Sequence, residues 1–406
     1  MAVTMTGTTK TFVNGTHRTV SPEATLAAVT PHLPAMGITR VANVTGLDRI
    51  GIPVVNAYRP NARSLSVSQG KGITLAAAKA SAVMEAIEGF HAEEIDLPLV
   101  SATARQIADR GRVIDTDRLA YLRGTAFDPD RTLLWVEGRD LVTDQPVWLP
   151  SELVHTDYTL PRRPQAGCFV ASTNGLASGN HAHEAQVHGI CEVIERDAHT
   201  MWEHLPLPAK AATRLDPDSI TDPACRVILD ALAAAEMTVG LWDMTGDVGV
   251  ATVHCLITDA RDGAGHSGGG AGTHLCRDVA LMRALTEAVQ VRTNYITGAR
   301  DDLRHDEYTS DGIARKNRYA QDLMAKSAPR VSFADLPDHR HNTLEEDLNT
   351  LLARLRAVGV SEVVAVDLAK PAIGIAVQRI VIPGLEGPHD HDDYAPGDRA
   401  RQRGVR

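Results

Sequence analysis

Apolar residues recur at helical spacing in some stretches of the chain, and alternate or run together in others. Helical spacing predicts helices at about 22–33, 74–94, 183–202, 225–235, 276–295 and 344–358, with a charged surface helix and linker at 302–330. Strands are predicted at 38–44, 52–58, 133–141, 146–149, 239–244, 249–258, 362–368 and 373–381. Because helices and strands are mixed without a regular strand–helix alternation, the pattern favours the α+β class.

Glycine-rich and polar stretches separate these elements. Gly70-Lys71-Gly72 is predicted to be a turn, and 262–272 a glycine-rich loop. Residues 159–182 are rich in Pro, Gly, Ser and Asn, which is typical of a functional loop. We expect a lead-in at 1–20, one large domain at 21–383 and a polar, flexible tail at 384–406.

Three of the predicted helices carry polar residues three or four positions apart among apolar neighbours, so these residues share one face. They are Ser81, Glu85 and Glu88 in the first, Glu184, His188, Glu192 and Glu195 in the second, and Arg283, Glu287 and Gln290 in the third. One such stripe is most simply a solvated helix face, but that interpretation weakens across three helices that are otherwise apolar. Buried carboxylates are costly unless a cation meets them. The pattern therefore predicts a magnesium–nucleotide site, with Arg196 and Arg283 against phosphate oxygens.

Composition narrows the class of protein. The 406 residues carry 41 basic and 51 acidic side chains, a net charge of −10. This balance argues against a nucleic-acid surface or a polybasic membrane patch. The five cysteines are widely spaced without a CxxC pair, which favours buried thiols in a reducing compartment. With no secretory leader pattern and no apolar run of roughly 18 residues, a soluble, cytoplasmic protein is expected.

Five motifs, in this order, resemble those of the YcaO family. They are Ser68-Gln-Gly-Lys71-Gly, Ser81-x-x-x-Glu85-x-x-Glu88, Asn174-Gly-Leu-Ala-Ser-Gly, Glu192-x-x-Glu195-Arg196-Asp197-Ala198 and Arg283-Ala-Leu-Thr-Glu287-Ala-x-Gln290-x-Arg292. The resemblance covers roughly residues 20–385. It implies a YcaO-like fold, with helices packed on mixed or antiparallel sheets around a central ATP site.

The resemblance also implies a chemistry. YcaO proteins use ATP and Mg²⁺ to phosphorylate a peptide amide oxygen after a nucleophile has added to the carbonyl carbon. Phosphate loss then gives a thioamide, an azoline ring or an amidine. The implied roles are magnesium ligation by Glu85, Glu88, Glu192, Glu195 and Glu287, catalytic phosphate contacts by Arg196, Arg283 and Gln290, and lining of the nucleotide pocket by Ser68, Lys71, Ser81 and Asn174.

The stretch from Met84 to Glu93 resembles the branch that works with a TfuA partner and forms thioamides. Gly89 stands where many other relatives have Arg, and the chain lacks the proline-alternating end typical of azoline-forming members. The expected partners are therefore a TfuA-like protein, a peptide or protein substrate and a sulfide source, with a homodimer implied by the family. Two alternatives stay open, an azoline-forming cyclodehydratase and a non-catalytic nucleotide-binding scaffold.

A run of His and Asp begins at His389 near the end of the chain. It could bind a metal ion. A solvated tail is favoured at this point, because nothing in the sequence fixes the geometry of these side chains.

Overall fold

The computed structural model describes residues 7–161, 167–261, 265–326, 328–391 and 393–404. In this part of the chain the helices are α1 Pro22–Val29, α2 Leu75–Glu93, α3 Ala104–Ala108, α4 Ala182–Glu203, α5 Leu207–Ala212, α6 Pro223–Ala234, α7 Arg277–Thr297, α8 Ser310–Lys326, α9 Leu344–Ala357 and α10 Asp398–Gln402. The strands are β1 Arg40–Asn43, β2 Val54–Tyr58, β3 Val67–Lys71, β4 Val100–Ala102, β5 Leu133–Asp140, β6 Gln145–Pro150, β7 Leu176–Gly179, β8 Met237–Asp243, β9 Thr252–Asp259, β10 Gly268–Thr273, β11 Val364–Asp367 and β12 Ala376–Val381.

These strands form three antiparallel sheets. Two are three-stranded, with the orders β1-β2-β3 and β10-β9-β8. The third runs β4-β5-β11-β12-β7, with β6 paired to β5 as the predicted hairpin. All the pairings between these described strands are antiparallel and the helices lie between and beside the sheets, so the predicted α+β class is confirmed.

One strand–helix unit occurs three times. A strand containing glycine is followed within four residues by a long helix, as β3–α2, β7–α4 and β10–α7. The units also close on one another. The helix α2 packs on β3 and touches β7, α4 packs on β7 and touches β10, and α7 packs on β10 and touches β3.

Two of the glycine segments are mainly strands, so the predictions of a turn at 70–72 and a loop at 262–272 are wrong at 70–71 and 268–272, while 265–267 are irregular as predicted. Residues 262–264 lie outside the described part of the chain, as do 162–166 of the predicted loop at 159–182. A Cβ atom on Gly70 would lie 2.1 Å from the carbonyl oxygen of Ala78, and one on Gly270 would lie 2.4 Å from that of Ala284. Glycine is therefore needed here for close packing of strand against helix rather than for a turn.

The end of the chain packs onto α4. The carboxylate of Glu386 is buried and accepts hydrogen bonds from the Tyr394 hydroxyl and the backbone N–H groups of Gly397 and Ala400, at 2.8–2.9 Å. These bonds hold a turn and the helix α10 where the sequence predicts an irregular tail. The predicted domain limits, 21–383 with a tail at 384–406, stay a prediction.

Candidate functional site

The three long helices carry their polar residues at equivalent positions. Glu85, Glu192 and Glu287 each lie ten residues after the first residue of their helix. Glu88, Glu195 and Gln290 lie thirteen residues after it, and Ser81, His188 and Arg283 six residues after it. Since the three units pack in a closed cycle, the same face of each helix meets the other two. The predicted convergence of the three stripes is present in the structure.

On α2, the two glutamates accept hydrogen bonds from neighbouring strands. The backbone N–H of Gln69 donates to Glu85 at 2.8 Å. The N–H and hydroxyl of Ser178 donate to one oxygen of Glu88 at 2.8 and 2.7 Å. Glu85 is exposed, whereas Glu88 is half-buried, so both carboxylates remain accessible to a ligand. Neither glutamate has a salt bridge among the described residues.

On α4, Glu195 is buried and Glu192 is half-buried. The guanidinium of Arg196 lies 3.9 Å from Glu192, at the limit of an ion pair. The Oε2 atom of Glu195 is buried without a hydrogen-bond partner. The second helix therefore contributes two carboxylates that the protein's own cations neutralise only in part.

On α7, two residues are tied to the other units. Lys71 Nζ donates to Glu287 Oε2 at 2.6 Å, and Arg283 Nη1 donates to His188 Nδ1 at 2.9 Å. Burial and the neighbouring Arg283 hold the pKa of His188 well below its ordinary value, so its ring is neutral and can accept this bond. Arg283 Nε and Gln290 Oε1 are buried without partners.

The carboxylates influence one another across the helices. Desolvation, with the charges of Glu85 and Glu192 adding to it, raises the pKa of Glu88 to about 8. Desolvation raises the pKa of Glu192 to about 7, and also raises that of Glu195. Burial alone would raise the pKa of Glu287 as well, but Lys71 and Arg196 hold it below its ordinary value. Clustered carboxylates with raised pKa values are typical of functional sites.

This donor set fits magnesium and phosphate. Magnesium takes hard oxygen ligands and keeps substrate phosphates in its shell, and five carboxylates from three helices supply such oxygens. The unpartnered Oε2 of Glu195 is an acceptor suited to a cation, while the unpartnered Nε of Arg283 is a donor suited to an anion. Carboxylates and guanidinium groups are thus adjacent, as a metal–phosphate complex requires.

The remaining predicted site residues lie at varied distances from the carboxylates. Ser68 is on β3 and Ser81 on α2, and in the described residues neither side chain is hydrogen-bonded to a carboxylate of the cluster. Asn174 lines a cavity of about 70 Å³ beside Arg379, and its Oδ1 atom is buried without a partner. Lys71 is paired with Glu287, and its place in the nucleotide pocket stays a prediction.

Sequence reasoning missed Arg379, a fully buried residue on β12. Its guanidinium donates to the backbone carbonyls of Val154, Ser172 and Asn174 at 2.7–3.2 Å, which fixes the loop before β7. Its charge also acts on Glu192. The available signal was an arginine inside the apolar run of a predicted strand.

A second missed feature is the buried pair formed by Gln69 on β3 and Asn294 on α7, whose side chains are hydrogen-bonded. It joins the first and third units directly behind the backbone N–H that holds Glu85. A polar pair of this kind has no sequence signal, because its members are 225 residues apart.

The carboxylate cluster offers the donor types that a nucleotide with divalent metal requires. A family model described as "YcaO cyclodehydratase, ATP- and Mg²⁺-binding" matches residues 69–386. The chain belongs to the YcaO family. The predictions of ATP and Mg²⁺ as cofactors are confirmed at the level of this family.

Two relatives match almost the whole chain. A protein from the tfuA 3′ region of Rhizobium leguminosarum bv. trifolii is 37% identical over 379 residues, covering 91% of this chain and 88% of its own length. A protein of Methanothermobacter thermautotrophicus is 35% identical over 375 residues, covering 90% and 94%. The first of these is consistent with the predicted TfuA-associated branch.

Solved structures share the fold. YcaO from Methanopyrus kandleri, bound with AMPPCP and Mg²⁺, superposes with a TM-score of 0.75 at 23% identity, over 96% of this chain and 100% of its own. A heterocyclase in complex with substrate and cofactor gives 0.79 at 21% identity, over 98% of this chain. The chain spans 56% of the length of that heterocyclase.

Among the helices that the structure describes, none is long and apolar enough to cross a membrane.

Proposed function

We propose that this chain activates a peptide backbone amide by ATP- and Mg²⁺-dependent O-phosphorylation, and converts it to a thioamide with a TfuA-like partner and a sulfide source. The observation that carries the proposal is the convergence of α2, α4 and α7, which places incompletely neutralised carboxylates beside arginines. The assigned magnesium ligands are Glu85, Glu88, Glu192, Glu195 and Glu287. Arg196, Arg283 and Gln290 are assigned to the phosphates, and Ser68, Lys71, Ser81 and Asn174 to the nucleotide pocket.

The proposed chemistry uses no nucleophile from the protein. When bound, ATP supplies the γ-phosphoryl group and Mg²⁺ offsets its negative charge. Sulfide adds to the carbonyl carbon, the amide oxygen takes the phosphoryl group, and the carbon–oxygen bond then breaks. The products are a thioamide, ADP and phosphate, and the proton lost as the C=S bond forms passes to solvent. Phosphorylation matters because the oxygen of an amide is otherwise a poor leaving group.

In this scheme the chain's own residues orient the groups that bind phosphate and metal, and they compensate charge. His188 holds one nitrogen of Arg283, which leaves the rest of the guanidinium available to a phosphate oxygen. Lys71 holds Glu287 ionised, so that it is ready to ligate a metal ion. Arg196 lies between carboxylates of two helices, whose charges raise its pKa above the ordinary value and keep it cationic.

The assignment to thioamide formation is supported by the relative from the tfuA 3′ region, which matches this chain over 91% of its length. The name of the Rhizobium protein describes only the position of its gene, next to tfuA. A functional link between a TfuA-like protein and this chain is therefore part of the proposal, as is a homodimer.

Azoline formation is the second candidate. It is favoured by the family description as a cyclodehydratase and by the shared fold with a heterocyclase. The two activities would use the same phosphorylated oxygen. They differ in the nucleophile, which is sulfide in one case and a side chain of the substrate peptide in the other.

One reconstitution separates the candidates. The protein is incubated with a TfuA-like partner, sulfide, ATP, Mg²⁺ and a candidate peptide. The mass of the peptide is then measured by mass spectrometry. We expect a product that is heavier by the exchange of oxygen for sulfur. A product lighter by one water would instead establish ring formation and contradict thioamidation.

The non-catalytic scaffold is tested in the same mixture. A scaffold would bind ATP without peptide-dependent hydrolysis, whereas the proposed enzyme releases phosphate in proportion to modified peptide. The Glu195→Gln variant is the test variant, because it lacks one proposed magnesium ligand. Its phosphate release should fall to the level without peptide, while ATP binding is measured separately by calorimetry.

A further inference from the structure

A second group of side chains that could ligate a metal ion lies at the C-terminal end of α4, beginning one helical turn after Glu195. His199 and Glu203 are four apart on α4, and His389 comes from the C-terminal segment. One ligand atom from each of the three lies within 4.8 Å of the others. We propose that His199, Glu203 and His389 bind a divalent transition-metal ion, with zinc as the favoured ion.

His389 is held in place, although the sequence alone predicts a solvated tail there. Its backbone N–H donates to the hydroxyl oxygen of Thr200 at 3.1 Å, and that hydroxyl donates to the carbonyl of Gly387 at 2.7 Å. Thr200 is fully buried on α4. The Nδ1 atom of His389 faces the same hydroxyl at 3.5 Å, so Nε2 is the nitrogen left for a ligand.

Glu203 is oriented by two neighbours that are not themselves ligands. The hydroxyl of Tyr319 donates to Oε1 at 3.0 Å, and the ammonium of Lys210 is bonded to Oε2. His199 Nε2 lies 3.8 Å from Oε1. Partners that fix a ligating carboxylate in this way are a regular feature of metal sites. They leave Oε1 directed toward the imidazole of His199.

His254 supplies an independent observation on the same site. Its ring lies 5.0 Å from that of His199, and the ring of His389 lies 4.7 Å from that of His199. His254 is 5% exposed, and its Nδ1 atom is buried without a hydrogen-bond partner among the described residues. An unpartnered buried nitrogen is unfavourable, so its position beside the imidazole of His199 points to a missing ligand.

The chemistry of the three side chains suits a transition-metal ion. Neutral imidazole is the form of histidine that binds metals. Two imidazoles and a carboxylate form a nitrogen-rich set that suits zinc, whereas magnesium prefers oxygen ligands throughout.

Such an ion would fasten the C-terminal segment to α4 close to the glutamate cluster. His199 is one helical turn after Glu195, and the charge of Asp390 acts on Arg196. The metal site would thus couple the position of residues 387–391 to an arginine assigned to phosphate. The inference does not depend on which peptide reaction the protein performs.

The test is a calorimetric titration of the full-length protein with Zn²⁺. Bound metal is first removed with a chelator, and the buffer contains excess Mg²⁺ to occupy the glutamate cluster. We expect one saturable zinc ion per chain. Affinity should fall by about tenfold or more in His389→Ala and His199→Ala, because changes in outer partners already produce losses of that size. The exposed His305→Ala is the matched control and should bind zinc like the parent.

Cobalt substitution is the second measurement. The parent should show visible Co²⁺ absorption that His389→Ala lacks, while circular dichroism confirms that the variant is folded. If the parent binds no zinc in excess Mg²⁺, the proposal is wrong. It is equally wrong if zinc binding survives in both histidine variants and is lost in Glu192→Gln, since the glutamate cluster would then be the zinc site.

Discussion

Two carboxylates in the C-terminal half of α2 lie in opposite environments. At its end, Glu93 is buried and paired with Arg59, which donates to both carboxylate oxygens at 3.1 and 2.7 Å. Five residues earlier, Glu88 accepts hydrogen bonds from Ser178 alone among the described residues, and its pKa is raised to about 8 by desolvation and by neighbouring carboxylates. The first arrangement stabilises the fold, while the second leaves charge for something else to neutralise.

The helix α4 repeats the contrast. Asp197 is buried and accepts two hydrogen bonds from Arg399, at 2.9 and 3.1 Å. Glu195 is buried two residues earlier and has an oxygen without a partner. Burial alone therefore does not mark a functional carboxylate in this protein. The mark is an incompletely matched carboxylate, clearest at Glu195, whose Oε2 atom is buried without a partner.

The largest expected effect is on activity, from Glu195→Gln. We expect peptide-dependent ATP hydrolysis to fall by about a thousandfold, because the variant loses a carboxylate that is proposed to stabilise charge in the reaction. The free energy of unfolding should not fall, since Oε2 has no partner to lose. Phosphate release and urea unfolding measure the two quantities.

The matched control is Glu184→Gln on the same helix. Glu184 is buried and bonded to Thr19 and Arg18, at 2.9 and 3.3 Å, so it should keep activity and lose stability. If both variants lost activity equally, the contrast between paired and unpaired carboxylates would have no functional meaning.

The next effect is on stability, from Glu93→Gln. Breaking a buried pair by removing one partner costs about 3 kcal/mol, because Arg59 stays buried without its counter-charge. Urea unfolding measures the loss, and calorimetry should show unchanged binding of a non-hydrolysable ATP analogue with Mg²⁺. An unchanged free energy of unfolding would contradict the structural role given to this pair.

A smaller effect is expected on the pH dependence of stability. The folded pKa of Glu88 is raised from its ordinary 4.5 to about 8, so the metal-free folded state holds a proton that the unfolded state loses. Its contribution to stability is then present below about pH 4.5 and is lost as pH rises towards 8. Glu88→Gln should flatten this fall in urea unfolding measured without Mg²⁺. A slope identical to the parent's would contradict the assigned environment of Glu88.

The smallest effect is expected from Arg105→Ala. Arg105 pairs with Asp130, and both side chains are largely exposed. Exposed pairs contribute little because solvent and salt screen them, so thermal unfolding should barely change. A loss as large as that of Glu93→Gln would remove the distinction between exposed and buried pairs.

The sequence predicted most of this fold because its helices and strands follow strong periodic patterns. The helix predicted at 74–94 is Leu75–Glu93, and that predicted at 276–295 is Arg277–Thr297. Gly70 and the glycines at 268–272 were misassigned, because the reason for a glycine there is contact with a helix that the local sequence does not reveal. The antiparallel pairing of β7 with β12 likewise joins segments about 200 residues apart.

The candidate site was predictable where charge broke an apolar pattern, as at Glu85, Glu192 and Glu287. The same reasoning could not find Arg379 as a brace for the loop before β7, nor the Thr200 hydroxyl that positions His389. Each depends on backbone groups that only the folded chain brings together. In the sequence, these residues are marked only as single polar residues within apolar runs, which does not predict their contacts.

The most direct test of the central claim is a crystal structure with Mn²⁺ in place of Mg²⁺ and a non-hydrolysable ATP analogue, using anomalous scattering from manganese. The account predicts metal peaks between α2, α4 and α7, with the analogue's phosphates against Arg196 and Arg283. The predicted ligands are oxygens of Glu85, Glu88, Glu192, Glu195 and Glu287. Manganese bound only elsewhere on the protein, with these carboxylates left as they are, would contradict it.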